Sequence, residues 1–368
     1  MSPSTVLTHD HLLYILLDSN LPTGGFVSSS GLESYAKHGF LPLRSYPSTR
    51  FHQRSDPAQS PPHPVPPSAK RSTADNVIHF VESEMDNFAS TTCPFVCDGW
   101  RILDTGVQVP QETLTSGLHA KVQEMLREIT TLDRYHESTL LSVVGRRASK
   151  AQGVALLTLF TRSLCSITDD VSAGSSEHIS GEDGWQGGDH AAKDEQSTEL
   201  EDDREERRRN GELLSRLVVE EYKRSIRRCT TPGHLAVCWG VIMSALGLDL
   251  GTSLHLYLFL HCRSVLSSAV RLNLVGPYAS TRLLLSLQGA IDRCVASTLN
   301  STTTSPVNDM IHDNAVSGER DKGDVGINSG WQGWDWTRKA ETAPSTTWPL
   351  GEILLARHDM QHSRIFNS

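Results

Sequence analysis

The chain has 368 residues, 38% of them apolar and 21% charged, and a formal charge of −9; this is enough for one large folded domain or two ordinary ones and excludes a disulfide-stapled miniature. The charge is concentrated, because Asp169 to Glu212 carries fifteen acids against five bases and leaves the remainder at net +1. A near-neutral body with only short basic clusters lacks the cationic stripe that neutralises phosphates, which sets nucleic-acid binding aside.

The opening Met-Ser-Pro-Ser-Thr has neither the basic cluster nor the early apolar run of an export signal. An apolar run from Leu12 to Leu17 reads as a helix ending at Leu21-Pro22-Thr23-Gly24-Gly25-Phe26, followed by Ser28-Ser29-Ser30-Gly31-Leu32-Glu33. Pro22 fixes one dihedral, Gly24 and Gly25 permit positive φ or close backbone approach, and a serine of the next run is expected to cap a second helix that stops at Gly39. Composition alone makes this a sharp turn between helices.

Eight of the 17 prolines lie between Pro42 and Pro67, so 44–74 reads as a Pro-rich insertion without a regular hydrogen-bond ladder. Val77, Phe80, Val81, Met85 and Phe88 then share one helical stripe, as do Val122, Met125, Leu126 and Ile129. Val143 to Leu164 continues the pattern, and its Arg146, Arg147 and Lys150 read first as a solvated basic edge. The acidic stretch 169–212 has too few large aliphatics to offset its conformational entropy and is expected to be disordered. Leu213 to Ile226 resumes the helical period.

Leu235 to Leu250 is the most apolar window, but Gly247 and Asp249 interrupt it, short of the ~18 to 20 residues a membrane span needs, so a soluble protein is expected. From Leu254 the run Leu-His-Leu-Tyr-Leu-Phe-Leu-His leaves a helix almost no wet side, which requires cover all round, by the core or by a second copy of the chain. Gly276-Pro277 ends that helix, and Leu283, Leu284, Leu287, Ile291 and Cys294 form another stripe. Residues 300–345 are polar and aperiodic, a third insertion. The fold class is therefore all-α, a single helical-bundle domain of about ten helices with three insertions and a C-terminal segment at 348–368.

Reactive constellations are missing. There is no phosphate-binding Gly-x4-Gly-Lys-[Ser/Thr], no Gly-x-Gly-x-x-Gly, no His-Glu-x-x-His and no Gly-x-Ser-x-Gly. The seven cysteines are scattered without a CxxC pair and read as reduced cytoplasmic thiols. Cys93 and Cys97 read as small hydrophobes. His358 and His362, at i and i+4 on an expected helix, are a weak candidate metal pair. Gly184-Trp185-Gln186-Gly187 and Gly330-Trp331-Gln332-Gly333 repeat one phrase inside two insertions and are a weak candidate docking motif.

The turn segment resembles the signature of the UreF family of urease accessory proteins: an apolar helix, Leu-Pro-x-Gly-x-Phe, then a Ser-rich step into Ser-Gly-Leu-Glu. Gly145-Arg146-Arg147-Ala148-Ser149, Gly233-His234 with Ala245-Leu246-Gly247-Leu248, and the closing Arg357-His358 to Ser363-Arg364-Ile365-Phe366 are similar to later family segments in the same order. The insertions point to a fungal or other eukaryotic member. The resemblance implies a non-catalytic, all-α, cytoplasmic homodimer without a cofactor. It would bind UreD (also called UreH) and recruit the GTPase UreG for nickel insertion into apo-urease. It further implies that Pro22, Gly24, Gly25, Gly31 and Glu33 form the signature turn, and that His255 and Phe259 fall at the dimer contact. Phe26, Arg364, Ile365 and Phe366 would meet UreD, through a tail that orders on binding. An unrelated helical adaptor using the Trp phrases, or a metal carrier using His358 and His362, is the competing reading.

Overall fold

The computed structural model describes residues 9–18, 28–41, 72–107, 111–164, 191–301 and 344–366. Among them every regular element is helical: α1 (His9–Leu16), α2 (Leu32–Lys37), α3 (Thr73–Val107), α4 (Gln111–Thr139), α5 (Val143–Leu159), α6 (Ala191–Arg227), α7 (Leu235–Ala245), α8 (Leu250–Arg271), α9 (Pro277–Ser286), α10 (Gln288–Ser301) and α11 (Pro349–Ala356). A π-helical turn at Phe160–Leu164 extends α5, and a 3-10 turn at Arg357–Met360 extends α11. The all-α expectation holds.

The long helix α3 is the spine. Ser72 and Asp75 open it with reciprocal bonds, Asp75 N–H to Ser72 Oγ at 3.1 Å and Ser72 N–H to Asp75 Oδ2 at 2.9 Å, which satisfies two amides the first turn would leave bare. Its stripe Val77, Phe80, Val81 and Met85 is buried, with Phe95, Val96 and Cys97 continuing it one helical face on. Against it lies α7, where Ala236 to Met243 are all buried. The two backbones approach closely at glycine: a Cβ on Gly240 would sit 2.2 Å from the Val96 carbonyl oxygen. Helix α7, not α8, is thus the one covered on every side. In α8, Leu254, Leu256, Tyr257 and Leu258 face inward, while His255 and Phe259 are half-buried.

Two indole N–H groups tie helices together, Trp100 to the Leu248 carbonyl before α8 at 2.8 Å and Trp239 to the Ser253 carbonyl in the first turn of α8 at 2.9 Å. A deeper tie is the carboxylate of Asp133 on α4, which is wholly buried. It accepts from Gly233 N–H (2.6 Å), His234 N–H (3.0 Å), Thr231 Oγ1 (2.8 Å) and Tyr222 Oη (2.9 Å). Gly233, at φ 80°, turns the chain into α7 beside it. The sheltered His234 side chain bonds Ser149 Oγ at 3.1 Å and Glu137 Oε2 at 2.7 Å.

Three expectations change. The acidic stretch is helical from Ala191, because α6 runs through 191–212. Its Glu, Arg and Lys are good helix formers, pairs such as Arg208–Glu212 at 3.0 Å recur one turn apart, and Leu214, Val218, Val219 and Tyr222 anchor the far end in the core. The stripe from Leu283 to Cys294 spans two helices that break at Leu287, whose N–H is shared between the Leu283 and Leu284 carbonyls at 3.2 Å each. No serine caps α2: Gly31 stands at its N-cap with φ 83°, and Gly39 ends the helix at φ 84° as expected. The Trp185 and Trp331 phrases, and most of the Pro-rich and 300–345 insertions, lie outside the described residues.

Candidate functional site

Residues 344–366 lie along α3 and α5 and bring the C-terminal segment onto α2. Asn87 of α3 receives it. Its Oδ1 accepts from Thr346 Oγ1 (2.8 Å), Thr347 N–H (2.9 Å) and Trp348 N–H (3.1 Å), and its Nδ2 donates to Glu352 Oε1 at 3.0 Å. Pro349 occupies the first turn of α11, where a missing N–H costs nothing, so Asn87 supplies the cap that the tail's own sequence lacks. Trp348 packs edge-on against Phe80, with ring centroids 5.2 Å apart. Sequence reasoning gave no signal for Asn87, which reads as one polar position on an amphipathic helix.

At the far end of the tail the receiver is Glu33. Its side chain is 0% exposed and its carboxylate takes Ile365 N–H at 2.9 Å, Phe366 N–H at 3.1 Å, His358 Nε2 at 3.2 Å and Lys37 Nζ at 2.9 Å. Burial works to raise its pKa, but the Lys37 ammonium, the two tail amides and His358 together outweigh it and hold the acid below its ordinary range. Lys37 also donates to the Ser363 carbonyl. Asp359 is clasped from two sides, by Arg147 of α5 through paired bonds of 3.0 and 3.1 Å and by Arg364 of the tail. Arg147, ahead of slight burial and of Arg364, holds Asp359 below the usual carboxylate range.

The tail is two-faced. Leu354, His358 and Phe366 turn inward, at 3%, 0% and 3% exposure, and Arg271 of α8 lies over the Phe366 ring at 4.8 Å. Outward stand Ile353 (56%), Met360 (79%) and Ile365 (65%), an apolar crest next to the Arg147–Asp359–Arg364 cluster.

The expected site residues divide accordingly. Arg364, Ile365 and Phe366 come together on the body with Gly31 and Glu33, since a Cβ on Gly31 would meet the Leu355 backbone nitrogen at 3.4 Å. Phe366, expected to project, is buried against the body. Pro22, Gly24, Gly25 and Phe26 lie outside the described residues. The His358–His362 pair is not a shared helix face: α11 ends at Ala356, the 3-10 turn ends at Met360, and Gln361 is extended at ψ 136°. His358 spends its Nε2 on Glu33 instead. Among the described residues no group of three His, Cys, Asp or Glu is placed to hold a metal ion, and no helix is long and apolar enough to cross a membrane. The Arg146 and Lys150 edge is matched within the chain, both reaching Glu137, at 3.7 and 2.6 Å. His255 stands 3.5 Å from Asp292 of α10, and α9 carries the exposed Tyr278 and Leu285.

Comparison with known proteins agrees with this organisation. A family model described as UreF matches residues 72–288. A protein of Cryptococcus neoformans var. grubii named urease accessory protein 6 is 45% identical over 362 residues, which covers 97% of this chain and 96% of that protein. An uncharacterized urease accessory protein UreF-like of Schizosaccharomyces pombe is 22% identical over 98% of each chain. Urease accessory protein F of Oryza sativa subsp. indica is 24% identical over 80% of this chain and 77% of its own.

Proposed function

The chain belongs to the UreF family of urease accessory proteins, and from that premise we propose that it is a non-catalytic cytoplasmic scaffold. It binds UreD through its C-terminal face and recruits the GTPase UreG, so that nickel is inserted into apo-urease and the GTPase is modulated in trans. The observation that carries this reading is the seated tail: α11 and residues 361–366 are held at both ends by Asn87 and Glu33, and they turn Ile353, Met360 and Ile365 to the outside. The best-organised polar cluster of the body surrounds Asp133 and is consumed in bonds to backbone amides and hydroxyls.

A homodimer accompanies this reading. Helix α9 has no buried residue, Tyr278 is 89% and Leu285 72% exposed, and His255 and Phe259 of α8 remain half-buried. A second copy would cover part of this apolar surface. Buried thiols at Cys93, Cys238 and Cys262, none in a disulfide, support a reducing compartment.

The test is complementation of urease activity in a strain lacking its own UreF, paired with retention of UreD in a pull-down. The full chain is expected to restore activity and retain UreD, and removal of 363–368 is expected to abolish both. Undiminished UreD retention by the shortened chain would overturn the role given to the tail. Gel filtration should find a dimer that Phe259→Asp reduces to a monomer.

A further inference from the structure

We infer that Arg162, Lys223 and Arg227 form a second contact surface of the body, one that fits a protein partner presenting clustered carboxylates. It goes beyond the reading of the C-terminal face and does not depend on it. Arg147, which clasps the C-terminal segment, stands in the second turn of α5, and Arg162 stands in the π-helical turn that extends the same helix. About 20 Å of helix separates the two faces.

The cluster joins two elements. Lys223 of α6 donates from Nζ to Thr161 Oγ1 at 2.5 Å, which sets its ammonium beside Arg162, the next residue of the π-helical turn. Arg227 lies one turn further along α6, on the face that carries Lys223. Burial pushes the Lys223 pKa down, and Arg227 and Arg162 push it the same way against Glu220. Helix-end dipoles favour one cation at each helix end, which accounts for Arg162 and Arg227. They do not account for a third, half-buried cation between them.

Along the neighbouring helices such repulsion is avoided by pairing. Arg208 meets Glu212 at 3.0 Å, Arg216 meets Glu220 at 3.5 Å, Arg224 meets Glu221, and Arg146 and Lys150 share Glu137. Those pairs engage Glu220 and Glu221, the acids of α6 next to the cluster. Among the described residues no carboxylate forms an ion pair with Arg162, Lys223 or Arg227, and both arginines are exposed. Two planar guanidinium groups flanking an ammonium suit carboxylates, each of which a guanidinium can hold by paired bonds. A nucleic-acid backbone fits poorly, because it needs a long uninterrupted run of cations and this edge also carries Glu220 and Glu221. A protein surface can place its own bases opposite those two acids.

Fluorescence anisotropy of a labelled hexaglutamate peptide with the full-length chain at low salt tests this. The peptide should bind, and binding should weaken steeply as salt is raised. The double variant Arg162→Gln with Arg227→Gln should raise its Kd at least about fivefold and keep the circular dichroism of the natural chain. Arg127→Gln, at an exposed position of α4, should change nothing. Neutralising the chain's own Asp169 and Asp170 should also leave the affinity as it was. Absence of binding, or an equal loss in Arg127→Gln, would overturn the inference. So would pyrophosphate or single-stranded DNA binding the cluster more tightly than the peptide. A gain in affinity on neutralising Asp169 and Asp170 would mean that this chain's acidic stretch occupies the cluster, and would overturn it as well.

Discussion

Two buried carboxylates organise this molecule, Asp133 inside the bundle and Glu33 under the C-terminal tail, and they use the same chemistry. Each accepts two consecutive backbone amides, Gly233 and His234 in one case and Ile365 and Phe366 in the other, together with side-chain donors. Their partners differ. The donors on Asp133 belong to α6 and the turn into α7, segments that cannot leave without opening the core. The donors on Glu33 belong mainly to the last residues of the chain, which can peel into water alone. One anion fastens the fold; the other holds a segment that can open while the core stays closed.

Asp133→Ala should have the largest effect. It strands two amides and two hydroxyls in the interior, and removing one member of such a buried charged network costs roughly 3–5 kcal/mol. For a body of this size that lowers Tm by about 10 °C, measured by circular dichroism. A loss no greater than that of Glu33→Ala would break the contrast between the two anchors.

Phe366→Ala should act mainly on the tail. The ring's burial is worth roughly 1.5–3 kcal/mol and its contact with Arg271 about 0.5–1 kcal/mol, both as weight on tail seating and not on the core. Exchange in 361–366 should accelerate strongly, while Tm moves much less than in Asp133→Ala.

The Glu33 end also titrates. Its folded pKa lies below the ordinary value of 4.5, so its contribution to seating is complete above that value and is lost as pH falls through the depressed one. The loosening of the tail that belongs to Glu33, read by proteolysis or exchange, should come only below about pH 5. Glu33→Gln should lack that acid step.

How much of this could be read from the residues follows from the range of each interaction. The stripes of α3, α4 and α6 were legible because burial at i, i+3 and i+4 is written locally, and Gly39 because a helix end needs a positive φ that glycine supplies. Asp133 and Asn87 were not, because each looks like a solvated polar position on a helix. Their partners are about 100 and 260 residues away in sequence. His358 was misjudged because its spacing to His362 assumed that the helix continues. Ala191 to Glu212 was misjudged because a charge-rich run is equally the composition of a disordered segment and of a surface helix, and only docking of the apolar end at Leu214 to Tyr222 decides between them.

The smallest effect should come from Arg147→Ala, and its smallness is informative. The Arg147–Asp359 pair is bidentate and has good geometry, yet Arg147 is 54% and Asp359 34% exposed, so water competes for both groups and salt screens them. The loss should be under about 1 kcal/mol of tail seating and should shrink further as salt is raised. Asp359 also keeps Arg364 as a partner, which blunts the change. If removal of this exposed arginine freed the tail as fully as Glu33→Gln does, the surface pair and not the buried carboxylate would hold the C-terminus. Burial, which here separates a strong anchor from a weak one of like charge and like geometry, would then have been the wrong criterion.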